Sequence, residues 1–195
     1  MNSRRIFFPV MVFGCSVFGC QAPSGSVGAT QAGGVEKSTP AAREHELTMV
    51  GYDIRRLRPT DEPLVKGFER MRAATVKEGK RVAVLFSADW CEPCRDLEIE
   101  LGNLHPRGTI EDVRIIELKE EEWQKAVRMD EFNGLRTQWD RVLNRYPLFV
   151  VLDDQGVRVE EMQGGRERLE AAGIAATVPN WFASLRALDW QRPAG

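Results

Sequence analysis

Long apolar runs are scarce in this chain. The clearest one, from Ile6 to Gly19, is too short to cross a membrane as a helix. Cysteine is scarce as well: four in 195 residues, in two pairs at 15 and 20 and at 91 and 94. A small scaffold stapled by disulfides would spread more cysteines along its length. Histidine is scarcer still. His45 and His105 do not stand at ligand-like spacings from the cysteines, which argues against a four-ligand zinc site. There is no excess of positive charge, since the formal net charge is −2, and nothing points to a nucleic-acid partner. No internal repeat marks a solenoid. What is present, 43% hydrophobic and 29% charged residues, suffices for one globular domain with appendages.

The first appendage reads as an address. Arg4 and Arg5 precede the short apolar run, and the chain turns polar at Gln21, the pattern of a secretory signal over residues 1–19. Its end, Val17-Phe18-Gly19-Cys20, resembles a bacterial lipobox, in which a small residue precedes a cysteine that is lipidated after cleavage. Phe18 departs from that motif. Cys20 is favoured over Cys15 because cleavage at Cys15 would leave apolar Val17 and Phe18 on the mature end; the alternative is a plain cleaved signal with incidental cysteines. Gln21 rather than Asp after the cysteine points, by resemblance to lipoproteins of Gram-negative bacteria, to the periplasmic side of the outer membrane. Residues 20–42 are mostly Gly, Ser, Ala, Thr and Pro and cannot build a core. Such a tether of about 22 residues has a root-mean-square reach of roughly 25 Å.

Residues 43–61 form a lead-in, in which Leu47 to Leu57 is an edge strand or an irregular segment. The main domain is expected over 62–190. Asp61 reads as the N-cap of a helix with Pro63 in its first turn, ending at Gly79. Leu64, Val65, Phe68, Met71 and Val76 fit one face of that helix. Val82-Ala83-Val84-Leu85-Phe86 reads as a strand buried on both faces. A helix from Cys91 to Leu104 follows, with Leu97, Leu101 and Leu104 on its inner side. Val113 to Leu118 is the next strand. Residues 120–145 are helical with an interruption expected near Asn133-Gly134, and Glu120-Glu121-Glu122 is most simply a solvated helix start. Leu148 to Leu152 and Val157 to Met162 form a hairpin, Gly164-Gly165 breaks the chain, and a last helix, whole or in two pieces, closes it. The order is that of an α/β, three-layer fold with a mixed central sheet flanked by helices.

Trp90-Cys91-Glu92-Pro93-Cys94 stands where the buried strand gives way to a helix. The first turn of a helix carries unpaired N–H groups and the positive end of the macrodipole, which stabilises a thiolate at Cys91. Cys94, three residues on, lies on the same helix edge and can close a disulfide. Two sulfurs so placed suit disulfide exchange: Cys91 attacks, a mixed disulfide forms, and Cys94 resolves it. That chemistry needs no cofactor. Other readings of the pair are a structural disulfide, one edge of a metal site, and a module that binds copper(I) or a client protein.

Residues Ser87 to Arg95 resemble the active-site segment of thioredoxins and of thioredoxin-like domains such as the C-terminal domain of the periplasmic transmembrane disulfide reductase. Tyr146-Pro147, leading into Leu148-Phe149-Val150-Val151-Leu152, resembles the loop in which these proteins place a cis-proline beside the redox pair. The resemblance, covering about 62–190, implies a thioredoxin-like fold and a protein-disulfide oxidoreductase. It implies a cis Pro147, a Tyr146 whose backbone meets substrate, a Trp90 that flanks the pair, and protein disulfide or dithiol clients. An electron donor is also implied, though the chain does not name it. Gly164 or Gly165 would match the glycine ending the hairpin. One departure is Leu85, which stands where thioredoxins carry a buried Asp. Glu98, one turn beyond Cys94, is the candidate proton relay in its place, or else a solvated surface acid. A second departure is the length of 120–145, for which partner contact is the one role that offers itself. Trp123, Trp139, Trp181 and Trp190 read as packing residues.

Overall fold

The computed structural model describes residues 48–143 and 145–187; the signal, Cys20, the tether, His45 and Trp190 lie outside them. In chain order the elements are β1 (Met49–Val50), β2 (Asp53–Arg56), α1 (Leu64–Lys77), β3 (Arg81–Ser87), α2 (Glu92–Leu101), β4 (His105–Pro106) and α3 (Arg107–Ile110). They continue with β5 (Val113–Lys119), α4 (Glu120–Lys125), α5 (Met129–Arg136), β6 (Leu148–Leu152), β7 (Arg158–Glu161), α6 (Met162–Ala171) and α7 (Val178–Ala187).

All seven residues of β3 are buried, which places it in the middle of a five-stranded sheet of order β2-β5-β3-β6-β7. Its pairing with β5 is parallel, with Leu85 opposite Glu117, and its pairing with β6 is antiparallel. The parallel pairing needs a crossover, and α2 supplies it. Side chains alternate across the sheet. Val82, Val84 and Phe86 meet Phe68 of α1 and Phe132 of α5 on one face. Ala83 and Leu85 meet Leu97 of α2 and Trp181 of α7 on the other. The sheet is thus mixed and covered by helices on both faces, the three-layer α/β architecture expected from the order of elements. Trp123, Trp139 and Trp181 are core packing residues. Among the described residues no helix is long and apolar enough to cross a membrane.

Of the two forms open to the lead-in, residues 53–56 take that of an edge strand, β2, which pairs parallel with β5. Several local expectations are corrected. The first residue of α1 is Leu64 and its N-cap is Pro63, so Asp61 makes no cap; the Leu64 N–H instead donates to Glu131 Oε2 at 2.8 Å. Val65 points outward, and Thr75 takes the inner position, its hydroxyl bonded to the Met71 carbonyl. Helix α2 stops at Leu101, leaving Leu104 exposed. The break in 120–145 falls at Val127, in the left-handed region at φ 56°, while Asn133-Gly134 continues α5. His105, just before Pro106, lies in a short strand pair with Val50. Gly164 and Gly165 open α6 instead of breaking the chain. At Gly165 a Cβ would lie 2.3 Å from the Trp181 indole, so close approach of α7, not turn geometry, calls for glycine there.

Candidate active site

Ser87 ends β3 and Glu92 begins α2, so the intervening residues turn the chain from the sheet into a helix start. The Cys91 N–H donates to the Ala88 carbonyl at 3.1 Å, and Arg95 Nη1 donates to the Asp89 carbonyl at 3.1 Å, which fixes the turn. Cys91 is the N-cap residue of α2. Its Sγ accepts from the Cys94 N–H at 3.2 Å, the position an oxygen fills in an ordinary cap. The two cysteines are joined as a disulfide, with Cα atoms 5.2 Å apart. Pro93 falls in the first turn, where no N–H is needed. Both cysteines are buried, at 3% and 2% exposure, although Cys91 stands at the helix start. What distinguishes the two sulfurs is place: Cys91 stands at the cap and Cys94 inside the helix.

Across from the pair, the Tyr146–Pro147 peptide is cis and leads directly into β6. Tyr146 packs against Ala88, Cys91 and Cys94, and its ring meets Trp90 edge-on, centroids 5.4 Å apart. Trp90 is 62% exposed and forms the rim. A cavity of about 300 Å³ opens beside Pro93, Tyr146 and Pro147, with Arg145, Gln163 and Arg166 around it. The Tyr146 phenol has a pKa well above its ordinary value, chiefly through burial and then through the Glu120 carboxylate.

The arrangement is a Cys-x-x-Cys disulfide at the start of the helix after the central strand, faced by a cis-proline that begins the next antiparallel strand. The fold is thioredoxin-like.

On the α2 side of the sheet, Leu85, Glu98, Leu101, Glu117, Lys119 and Arg56 line a second cavity of about 270 Å³. The side chain of Glu98 is 42% exposed and pairs with Lys119 Nζ at 2.7 Å, so it is neither free in solvent nor buried. Lys119 also reaches Asp89 at 3.0 Å. Burial works against its charge, but Glu98 and Asp89 hold its pKa above the ordinary lysine value. Glu117, beside Leu85 in the sheet, is buried and takes both Arg56 Nε and Nη2, at 2.9 and 2.8 Å. Sequence reasoning passed over Glu117 and Lys119. The signal was their alternation with Ile116 and Leu118, which puts two charges on the α2 face of a buried strand.

Residues 120–145 adjoin this site. Glu121 Oε1 accepts the Asp89 N–H at 2.7 Å, Glu122 faces Arg56 and Arg58, and one carboxylate oxygen of each of Glu120, Glu121 and Glu122 is buried. The acidic run therefore works inward rather than forming a solvated start. Arg136, wholly buried, lies over the Tyr146 ring; no sequence signal singled it out. Among the described residues no group of three or more His, Cys, Asp or Glu side chains could hold a metal ion.

No protein-family model matches the chain, and no curated protein does. Solved structures do. The disulphide isomerase from Xylella fastidiosa Temecula1 is 19% identical, matched over 67% of this chain and 98% of its own, with TM-score 0.44. A poplar wild-type thioredoxin h is 17% identical over 70% and 96%, with TM-score 0.42. The C-terminal domain of Neisseria meningitidis DsbD in the oxidised form is 21% identical over 50% and 80%, with TM-score 0.36.

Proposed function

We propose that this chain is a thiol–disulfide oxidoreductase acting on protein disulfides, held by a lipid on Cys20 at the periplasmic face of the outer membrane. The observation that carries the redox reading is the Cys91–Cys94 disulfide at the start of α2, opposite cis Pro147. In the reduced form the helix start stabilises the Cys91 thiolate. That thiolate attacks a client disulfide; a Cys91–client bond forms, and the displaced client sulfur leaves as a thiolate and takes a proton. Cys94, giving up its proton, then attacks Cys91 Sγ, restoring the intramolecular disulfide and releasing the second client thiol. Two electrons pass from the dithiol to the client, and a dithiol donor returns them. Trp90, Tyr146 and Pro147 form the client-binding rim, and Glu98, one helical turn beyond Cys94 and paired with Lys119, is our candidate to relay the Cys94 proton.

Glu92 beside the nucleophile disfavours the thiolate, so the protein runs as a reductant or isomerase rather than a strong oxidant. The decisive assay is reduction of insulin by dithiothreitol, which the protein should accelerate. The direction is read from equilibrium with glutathione. A potential below about −200 mV is expected, and one near about −120 mV would overturn that direction. Cys20→Ala should release the protein from the membrane fraction or leave it as unprocessed precursor; equally soluble mature forms would overturn the anchor.

A further inference from the structure

Arg136 is an odd residue for its place. It is wholly buried, its neighbours Phe132, Leu135 and Trp139 on and after α5 belong to the apolar core, and its Nε and Nη1 meet no acceptor. A charge held there is costly unless it is paired or hydrogen-bonded. The remaining nitrogen, Nη2, donates to the carbonyl of Arg145, the residue before Tyr146. The guanidinium carbon lies over the Tyr146 ring, 4.4 Å from its centroid. One side chain thus grips both the backbone and the ring at the entrance to the cis-proline loop. The planar guanidinium fork suits both contacts: an apolar residue has no donor, and lysine's ammonium is a compact, strongly hydrated point charge without the flat fork.

Tyr146 passes that constraint on, because its ring packs on the cysteines and meets Trp90. The same segment holds the opposite loop, through Glu121 and the Asp89 N–H. We propose that Arg136 is a positioning residue that sets the Tyr146–Pro147 backbone against the redox pair, so that α4 and α5 serve as a brace for client binding. The inference rests on the oxidoreductase reading and concerns the capture of a peptide, not the reactivity of the sulfurs.

The test compares two disulfides, insulin and the small hydroxyethyl disulfide, which has no peptide to bind. Arg136→Met should raise KM for insulin by about tenfold, with kcat, the hydroxyethyl disulfide rate and the pH profile of Cys91 alkylation unchanged. Arg136→Lys keeps the buried charge and lacks the plane, so it should show the same split. It carries the comparison if Arg136→Met does not fold. Equal losses on both substrates, or a displaced Cys91 profile, would overturn the assignment. A wild type active on insulin, with variants of unchanged KM, overturns this inference alone. A wild type inactive on insulin overturns the enzyme reading and this inference with it.

Discussion

The starts of α1 and α2 are closed by opposite means. Helix α2 is capped from within, by a sulfur three residues before the N–H it accepts. Helix α1 is capped from 67 residues away, by the carboxylate of Glu131 on α5. Glu131 is held in turn by Arg128, whose Nη2 also donates to the Glu62 carbonyl. The local cap leaves the helix start free to react, because the capping atom is the sulfur we propose as the nucleophile and no distant element is disturbed when it bonds elsewhere. The borrowed cap does the reverse: it ties α1 to α5 and so steadies the segment that carries Arg136. One helix start is built for chemistry and the other for attachment.

Replacing the caps separates those two roles. Cys91→Ser should abolish disulfide exchange in the insulin assay and leave thermal stability close to that of the reduced wild type, since serine is a good N-cap. Cys94→Ser should retain attack and lose resolution, so mixed disulfides with clients accumulate and are seen as reductant-sensitive bands on non-reducing gels. Trapped species in the first variant and none in the second would reverse the assignment of nucleophile and resolver.

A smaller effect is expected at the borrowed cap. Glu131→Ala should cost about 1 kcal/mol in a denaturant titration, the usual loss for a removed cap, with Cys91 reactivity intact. The pKa of Glu131 is lowered, first by its hydrogen bond to Arg128 and then by the Leu64 N–H. A carboxylate with a depressed folded-state pKa stabilises the fold above its unfolded value. That stabilisation fades as the pH falls below about 4.3 and through the folded value. The wild type should therefore lose the Glu131 contribution on acidification, and Glu131→Gln, which cannot ionise, should show a shallower decline over the same range.

The same contrast decides what could be read from the sequence. Short-range features were legible: the buried run of β3, the cysteine pair at a helix start, the hairpin turn after Leu152, and the helical face carrying Leu64 and Phe68. Each depends on residues a few positions apart. The misread features depend on partners far along the chain. Glu131 caps Leu64, Trp181 demands glycine at 165, and Glu117 answers Arg56 on a neighbouring strand. Arg136 looked like any helix-surface arginine, because nothing local shows that α5 turns it toward Tyr146. The candidate site was half legible for the same reason. Its sulfurs and proline belong to motifs, whereas the side chains that steady them do not.

The smallest effect expected is also the sharpest check on the comparison. Asp61 has the residue type and the spacing of an N-cap, with Pro63 two positions later. If local pattern governed the start of α1, Asp61→Ala would cost as much as any lost cap. In the structure the helix begins after Pro63, whose own φ of −57° and ψ of 137° are not helical, and no side chain of the preceding segment bonds to the first turn. Asp61 is exposed, and the Leu64 N–H is already taken by Glu131. Its remaining influence is a weak field at Arg128, which water screens. Asp61→Ala should therefore change stability by less than about 0.5 kcal/mol, the range of ordinary surface substitutions. A loss as large as that of Glu131→Ala in the same denaturant titration would mean that α1 is capped locally after all, and that the contrast with α2 fails.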